Sequence, residues 1–306
     1  MSELKDRFGR KIDYLRISVT DKCNLNCKYC APQKSGHKIM NEYEIVKAAK
    51  LFGNAGISRF KITGGEPLLR DDIGRILKGI RSFAKSLTIT TNGILLDERD
   101  ISAVDSVNIS LDTLDPKRYA MLTGVDMLDR VLRNIRECNK EIHINCIPMY
   151  GVNEDELHKI AMLAGDSRIY VRFIELMPSG KARDMKAIPN KHVMNIIQTH
   201  IGKLVPENSA GNGPAVYYHA DGLRGKIGFI SAVTECFCKQ CNRIRLSSDC
   251  HLRLCLHHKE SYDIYPLLKM QPEKAVEEIR RLIEKKPGDH AGFKDNGVEG
   301  LWNIGG

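Results

Sequence analysis

Six short stretches, each with one apolar and one polar face, recur through the first part of this chain between helical patterns. The strands are predicted at Tyr14–Val19, Arg59–Thr63, Leu87–Thr91, Val107–Leu111, Glu141–Ile147 and Ile169–Ile174. Helical periodicity falls between them at 41–54, 71–84, 98–103, 127–138 and 153–164. Strands alternating with helices imply right-handed βαβ units and a parallel sheet. Leu15, Ile17 and Val19 oppose Arg16 and Ser18, and Phe60 and Ile62 oppose Arg59, Lys61 and Thr63. Leu87 and Ile89 oppose Thr88 and Thr90; Ile109 and Leu111 oppose Asn108, Ser110 and Asp112; Ile142 and Ile144 oppose His143 and Asn145. With helices outside, the apolar faces meet the helices and the polar faces line the interior. An ordinary eight-stranded barrel fills its interior with branched apolar side chains. Polar inner faces on five strands predict instead a wider, incomplete barrel around a wet cavity. The alternative is an open sheet whose polar faces touch solvent. Buried charges such as Arg16 and Lys61 would require an anionic guest.

After about residue 185 the pattern changes. A helix is predicted near 190–201, then Gly-rich strand-like segments, then a last helix at 273–285 where Val276, Ile279, Leu282 and Ile283 share a face. The boundary falls in 185–225, which divides the chain into 1–225 and 226–306. A length of 306 residues suits one large domain, or one with a smaller appendage. No run reaches the roughly 20 apolar residues needed to cross a bilayer. The charged start lacks the apolar segment of a secretion signal, so a reducing cytoplasm is expected. The net charge of +9 fits nucleic acid or a pocket for a small polyanion. Only 6% of residues are aromatic and no basic stripe interleaves with them, which disfavours nucleic acid as the principal substrate.

The ten cysteines are grouped. Cys23, Cys27 and Cys30 form a C-x3-C-x2-C triplet. Three thiolates on one loop can hold three corners of a cubane iron–sulfur cluster and leave the fourth iron open to a substrate. Structural zinc normally takes four N/S ligands, and the nearest following histidine is His37. A second group comprises Cys238, Cys241 and Cys255, with Cys236 and Cys250 nearby as rival ligands. Spacing alone leaves zinc open at the second group. Cys138 and Cys146 stand alone and read as small core residues.

The first triplet, followed by Thr63-Gly64-Gly65-Glu66-Pro67 at the end of the second strand, resembles the radical S-adenosylmethionine (SAM) enzymes. Within them, Leu15-Arg-Ile-Ser-Val-Thr-Asp-Lys-Cys-Asn, Phe173-Ile-Glu-Leu-Met-Pro-Ser-Gly, Cys238-Lys-Gln-Cys-Asn-Arg-Ile-Arg-Leu and the ending Trp302-Asn-Ile-Gly-Gly look like the GTP 3',8-cyclase family. The resemblance implies an incomplete (βα)6-type TIM barrel over 1–225. It also implies a C-terminal auxiliary-cluster region over 226–306 that covers the barrel opening. It further implies two [4Fe–4S] clusters, on Cys23, Cys27 and Cys30 and on Cys238, Cys241 and Cys255. Tyr29, Gly65, Glu66, Ser110 and Met177 match SAM-binding positions, with Glu66 an acceptor for the methionine amino group. Arg16, Lys61, Thr90, His143, Arg243 and Arg245 match GTP-binding positions; strand alternation favours Thr90 over Thr91 as the inward side chain. Arg16, Arg243, Arg245, Gly305 and Gly306 are the implied catalytic group, the Gly-Gly tail threading beside the arginines.

The implied reaction is the first step of molybdenum cofactor biosynthesis. A 5'-deoxyadenosyl radical takes hydrogen from ribose C3' of GTP, and C3' then bonds to guanine C8. An external electron donor and a downstream cyclic pyranopterin monophosphate synthase come with the family, and a homodimer is left open. Four features depart from the family pattern. His143 stands where Lys is usual, and Lys61 stands where Arg is common. Cys250 replaces a turn Gly, and the stretch from Thr91 to Ser110 is short enough to trim a helix. Two competing functions are another radical SAM enzyme with an auxiliary cluster, such as a peptide maturase, and a non-catalytic metal–sulfur module. A maturase predicts an N-terminal peptide-docking element, and few residues precede Tyr14. A metal–sulfur module has no need of the Gly-Gly-Glu-Pro element.

Overall fold

A computed structural model describes residues 3–30, 38–178, 180–207 and 213–289. The first six strands are β1 (Tyr14–Ser18), β2 (Arg59–Thr63), β3 (Ser86–Thr91), β4 (Ser106–Ser110), β5 (Glu141–Cys146) and β6 (Ile169–Ile174). Each pairs parallel with the next. Helices α1 (Glu42–Ala55), α2 (Ile73–Arg81), α3 (Pro116–Thr123), α4 (Leu128–Glu137) and α5 (Leu157–Ala161) lie in the crossovers. Beyond them come α6 (Asn190–His200), β7 (Leu204–Glu207), β8 (Val216–Ala220), β9 (Lys226–Ile230), β10 (Arg243–Leu246), β11 (His251–Arg253), β12 (Tyr262–Asp263) and α7 (Pro272–Glu284).

The later strands complete the sheet at both sides. β9 pairs parallel with β6, and β10 pairs parallel with β1. The order is β12-β11-β10-β1-β2-β3-β4-β5-β6-β9-β8-β7, so among the described residues the sheet curves without closing. This is the expected incomplete barrel, widened by one parallel strand on each flank. The C-terminal segment therefore extends the barrel laterally as well as facing its interior.

The outward face of every central strand is apolar. Leu15, Ile17, Ile62, Leu87, Ile89, Val107, Ile109, Ile142, Ile144, Val171 and Phe173 are buried beneath the helices. α1 supplies Ile45, Ala48, Ala49 and Phe52 to that layer. It starts at a capping box, in which Asn41 accepts from the Glu44 amide and Glu44 accepts from the Asn41 amide. α2 contributes Ile73, Ile76, Leu77 and Ile80 at helical spacing.

One helix expectation is corrected, and one helix is additional. No helix forms over 98–103. Asp100 accepts from the Ser102 amide at 2.9 Å and from its hydroxyl at 2.6 Å, a local turn that competes with helix. α3 has no counterpart among the expected helices. It is short, with only Tyr119 and Leu122 buried, so it carries little periodic signal. Asp115 caps it, Pro116 opens it and Gly124 closes it in the left-handed region at φ 82°.

Candidate active site

The inward strand faces meet at a cavity of about 220 Å³. Arg16 lies beside Lys61 on β2 and beside Arg245 on β10, so three cations stand abreast on adjacent parallel strands. Arg243, two residues before Arg245, also lines the cavity, with its guanidinium 4.6 Å from the Phe237 ring centre. Arg172 on β6 and Lys286 after α7 complete the charged lining. No carboxylate lines this cavity among the described residues.

Such crowding leaves an electrostatic signature. Burial, then Arg172, Arg16, Arg243 and Arg245, hold the Lys61 ammonium well below its ordinary value. Burial, then Arg16 and Arg243, do the same to Arg245. Burial, with Arg243 and Arg172, brings Arg16 down to about 10. Neutral side chains space the cations. Asn108 accepts from Lys61 at 3.0 Å and from Arg172, and donates to the Ile89 carbonyl at 3.0 Å. Asn145 accepts from Arg172 at 3.0 Å. Cations gathered in a cavity that no carboxylate lines among the described residues suit a polyanionic guest.

One wall of the cavity carries four thiols: Cys236, Cys238, Cys241 and Cys255. Burial alone would push the Cys241 thiol up, but Lys286 and Arg243 bring it below its ordinary value. The Cys238 amide donates to Cys236 Sγ at 3.4 Å. Cys250 is absent from this cavity lining. It is 1% exposed in the hydrophobic core at the β10–β11 turn, where it takes φ 68°. Asp263, Glu44 and Asp249 are its charged neighbours. Cys146 is buried in the core and Cys138 packs against it, as expected.

The first triplet occupies the loop after β1. The Leu25 amide donates to Cys23 Sγ at 3.4 Å, and the Cys30 amide donates to the Cys27 carbonyl at 3.1 Å. Burial pushes all three thiols up, Cys30 to about 11. Among the described residues no three Cys, His, Asp or Glu side chains converge as one metal ion would require. A cubane places each thiolate on a different iron, so its ligands need not meet at a point. Donor sets of thiols alone fit iron–sulfur chemistry.

The Gly-Gly-Glu-Pro element packs directly against this loop. Gly64 takes φ +155°, and the Gly65 amide donates to the Thr20 carbonyl at 2.8 Å. A Cβ at Gly65 would stand 2.3 Å from the Lys22 carbonyl oxygen, so only glycine allows this approach. Glu66 is buried and accepts from the Leu68 and Asn92 amides at 2.9 and 2.7 Å and from Thr91 at 2.8 Å. Burial raises it to about 7. Tyr29 donates to Asp112 at 2.6 Å, and burial lifts Asp112 to about 6.

The remaining expected residues are dispersed. Met177 lines the cavity, and Ser110 is exposed at the end of β4. Thr90 shares the inward face with Thr88, while Thr91 points outward to Glu66. Neither Thr90 nor His143 is part of the cavity lining. His143 lies 2.7 Å from Glu141 and edge-on to Tyr170 at 5.1 Å. Burial, with Arg172 and Lys61 against Glu141, lowers it to about 4. Gly305 and Gly306 lie outside the described residues. Sequence reasoning overlooked Arg172, although alternation along β6 sets it opposite Val171 and Phe173. It also overlooked Lys286, which no local pattern singles out.

The chain matches the radical SAM superfamily over residues 17–164 and Molybdenum Cofactor Synthesis C over residues 169–292. GTP 3',8-cyclase of Clostridium perfringens (strain 13 / Type A) is 38% identical, covering 99% of this chain and 100% of its own. GTP 3',8-cyclase of Thermodesulfovibrio yellowstonii is 38% identical over 92% of each chain. Molybdenum cofactor biosynthesis protein 1 of Dictyostelium discoideum is 34% identical over 95% of this chain, which spans 50% of that relative. Among solved structures, Streptococcus suis SuiB bound to S-adenosylmethionine superposes with a TM-score of 0.60 at 16% identity. That superposition covers 86% of this chain and 66% of SuiB, and it establishes the fold alone.

Proposed function

The chain belongs to the GTP 3',8-cyclase family of radical SAM proteins, and on that premise we propose how its own residues serve GTP cyclisation. Family membership carries a [4Fe–4S] cluster and SAM; that there are two clusters is part of the proposal. The observation that carries the reading is the cavity, where six cations and four thiols stand together without a lining carboxylate.

Cys23, Cys27 and Cys30 would hold the first cluster, and Tyr29, Gly65, Glu66, Ser110 and Met177 the SAM beside it. When bound, this pair supplies the 5'-deoxyadenosyl radical needed at the unactivated C3'–H bond of the ribose. Cys238, Cys241 and Cys255 would hold the second cluster. Arg16, Lys61, Arg172, Arg243 and Arg245 would receive the triphosphate through charge-assisted hydrogen bonds. Arg16, between Lys61 and Arg245 in the strand register, would donate the proton that, with one electron from the external donor, quenches the radical left on the guanine once C3' has bonded to C8. Thr90 and His143 would position the nucleoside by neutral contacts, since His143 is uncharged at neutral pH. Gly305 and Gly306 would enter beside the arginines and complete the catalytic group.

The division at 225/226 is retained as a functional one, with the barrel carrying SAM and the remainder the second cluster. An external electron donor, a downstream cyclic pyranopterin monophosphate synthase, a homodimer and a cytoplasmic location accompany the reading. No described helix is long and apolar enough to cross a membrane. The peptide-maturase alternative has behind it only a fold-level likeness to SuiB, which has been solved bound to a precursor peptide, against full-length relatives named as cyclases. The deciding experiment is anaerobic incubation with SAM, dithionite and GTP. 5'-Deoxyadenosine should accumulate only with GTP; accumulation driven by another nucleotide or a peptide instead refutes the substrate assignment.

A further inference from the structure

Lys286 is 1% exposed, although it follows directly on Lys285 at the end of an amphipathic surface helix. Its Nζ donates to the Arg243 carbonyl at 2.8 Å and to the Leu254 carbonyl. The first of these lies two residues after Cys241, and the second lies immediately before Cys255. A second cation reaches the same place from the N-terminal arm. Arg10, held by Asp6 at 2.6 Å, donates to the Cys238 carbonyl at 2.8 Å. It also donates to the Gly288 carbonyl at 3.0 Å and to the Pro287 carbonyl. Backbone beside each of the three cysteines is thus fastened to the segment that begins at Lys286.

Burying an ammonium costs several kcal/mol unless an anion compensates it. Lys286 forms no ion pair with any carboxylate among the described residues. Cys241 and Cys255, which would be thiolates on a cluster, line the same cavity as Lys286. Two carbonyl acceptors alone do not demand a charge; thiolates on a cluster do.

We propose that Lys286 is a positioning residue for the second cluster. It fixes the spacing of the Cys241 and Cys255 segments and holds a positive charge beside the cluster, making it easier to reduce. This rests on the two-cluster reading. The test uses full-length protein with Cys23, Cys27 and Cys30 all changed to Ala, so that only the second cluster remains. Iron analysis comes first. About four irons per chain supports that cluster, and none means that the two-cluster reading itself has failed. Lys286→Gln is then introduced, which keeps hydrogen-bond donors and removes the charge, alongside Lys286→Arg, which keeps the charge. The midpoint potential is followed by electron paramagnetic resonance during an anaerobic redox titration. Lys286→Gln should lower the reduced-to-oxidised ratio at fixed potential about tenfold, a negative shift of about 59 mV for one electron. Lys286→Arg should stay nearer the parent. A Lys286→Gln protein with the parent's potential and signal overturns the proposal. If Lys286→Gln loses the cluster while Lys286→Arg keeps it, the need for the charge is supported; loss in both reduces Lys286 to a structural tie and overturns it.

Discussion

Lys61→Met should make the protein more stable without nucleotide and poorer at binding GTP. Lys61 sits among Arg16, Arg172, Arg243 and Arg245, buried and crowded by like charge. Its hydrogen bond goes to Asn108 Oδ1 at 3.0 Å, which also accepts from Arg172, so methionine leaves no orphaned acceptor. Methionine also nearly preserves the length of the side chain. Replacing even a buried ion pair with apolar groups of similar volume is often neutral or stabilises by about 1–4 kcal/mol, and a charge crowded by like charges should gain at least as much. Binding moves the other way. A cation about 4 Å from a phosphate charge is worth about 4 kcal/mol at an effective dielectric of about 20. If desolvation offsets half, about 2 kcal/mol is lost, or roughly 30-fold in Kd.

The assay for this pair of effects is anaerobic urea unfolding without nucleotide, together with calorimetric titration of GTP. pH supplies a check on sign. A lysine whose folded-state pKa is depressed removes stability as pH falls below 10.5 through the folded value. Lys61→Met should flatten that alkaline dependence. A variant less stable than wild type without nucleotide, or one with unchanged GTP affinity, would refute the cavity reasoning.

Other consequences are equally direct. Gly65→Ala forces a Cβ to within 2.3 Å of the Lys22 carbonyl oxygen, so SAM affinity measured by equilibrium dialysis should fall at least about tenfold. Cys255→Ala should lose the iron of the second site, whereas Cys250→Gly should keep it. In Cys250→Gly, relief of about 1 kcal/mol of left-handed strain offsets the lost burial, so a large drop in stability or iron would contradict the core assignment. His143 binds its proton only near pH 4 in the folded protein, so wild type should lose stability as pH falls from 6.5 to 4. The span is about 2–4 kcal/mol, and Lys at this position is not equivalent; His143→Gln should lack the loss, and parallel stability curves would refute it. Adding residues after Gly306 should impair turnover and leave both sets of iron intact; normal cyclisation by the extended protein would count against a threaded tail.

Much of this architecture is legible from the chain because two periods coincide with two chemistries. Alternation along the first five strands sets Arg16, Lys61, Thr90 and Asn145 on one face, and that face is the inner one. What escapes is whatever depends on approach from afar. Lys286 follows a helix whose pattern reads as surface, and only the carbonyls of Arg243 and Leu254 make it interior. Cys236 and Cys250 are indistinguishable by spacing, because the turn between β10 and β11 decides which thiol faces the cavity. The segment at 98–103 offers only Ile101 and Ala103 as apolar residues, two apart, too weak a period for a helix, and the Asp100 side chain gives its backbone a closer partner.

The sheet order bears on how such a chain is made. Tyr14 and Leu15, synthesised long before them, rest against Arg243 and Ile244, and β6 rests against β9. Until residues beyond 226 emerge from the ribosome, β1 and β6 are bare parallel edges with unpaired backbone groups. Long-range parallel pairings form slowly, and exposed edges invite pairing with other chains. The same strands that bring the second cysteine group over the cavity therefore also end a hazardous interval in biosynthesis. A polypeptide stopped near residue 200 should be captured by chaperones or aggregate, and the polyanion receptor can exist only after the last edge is covered.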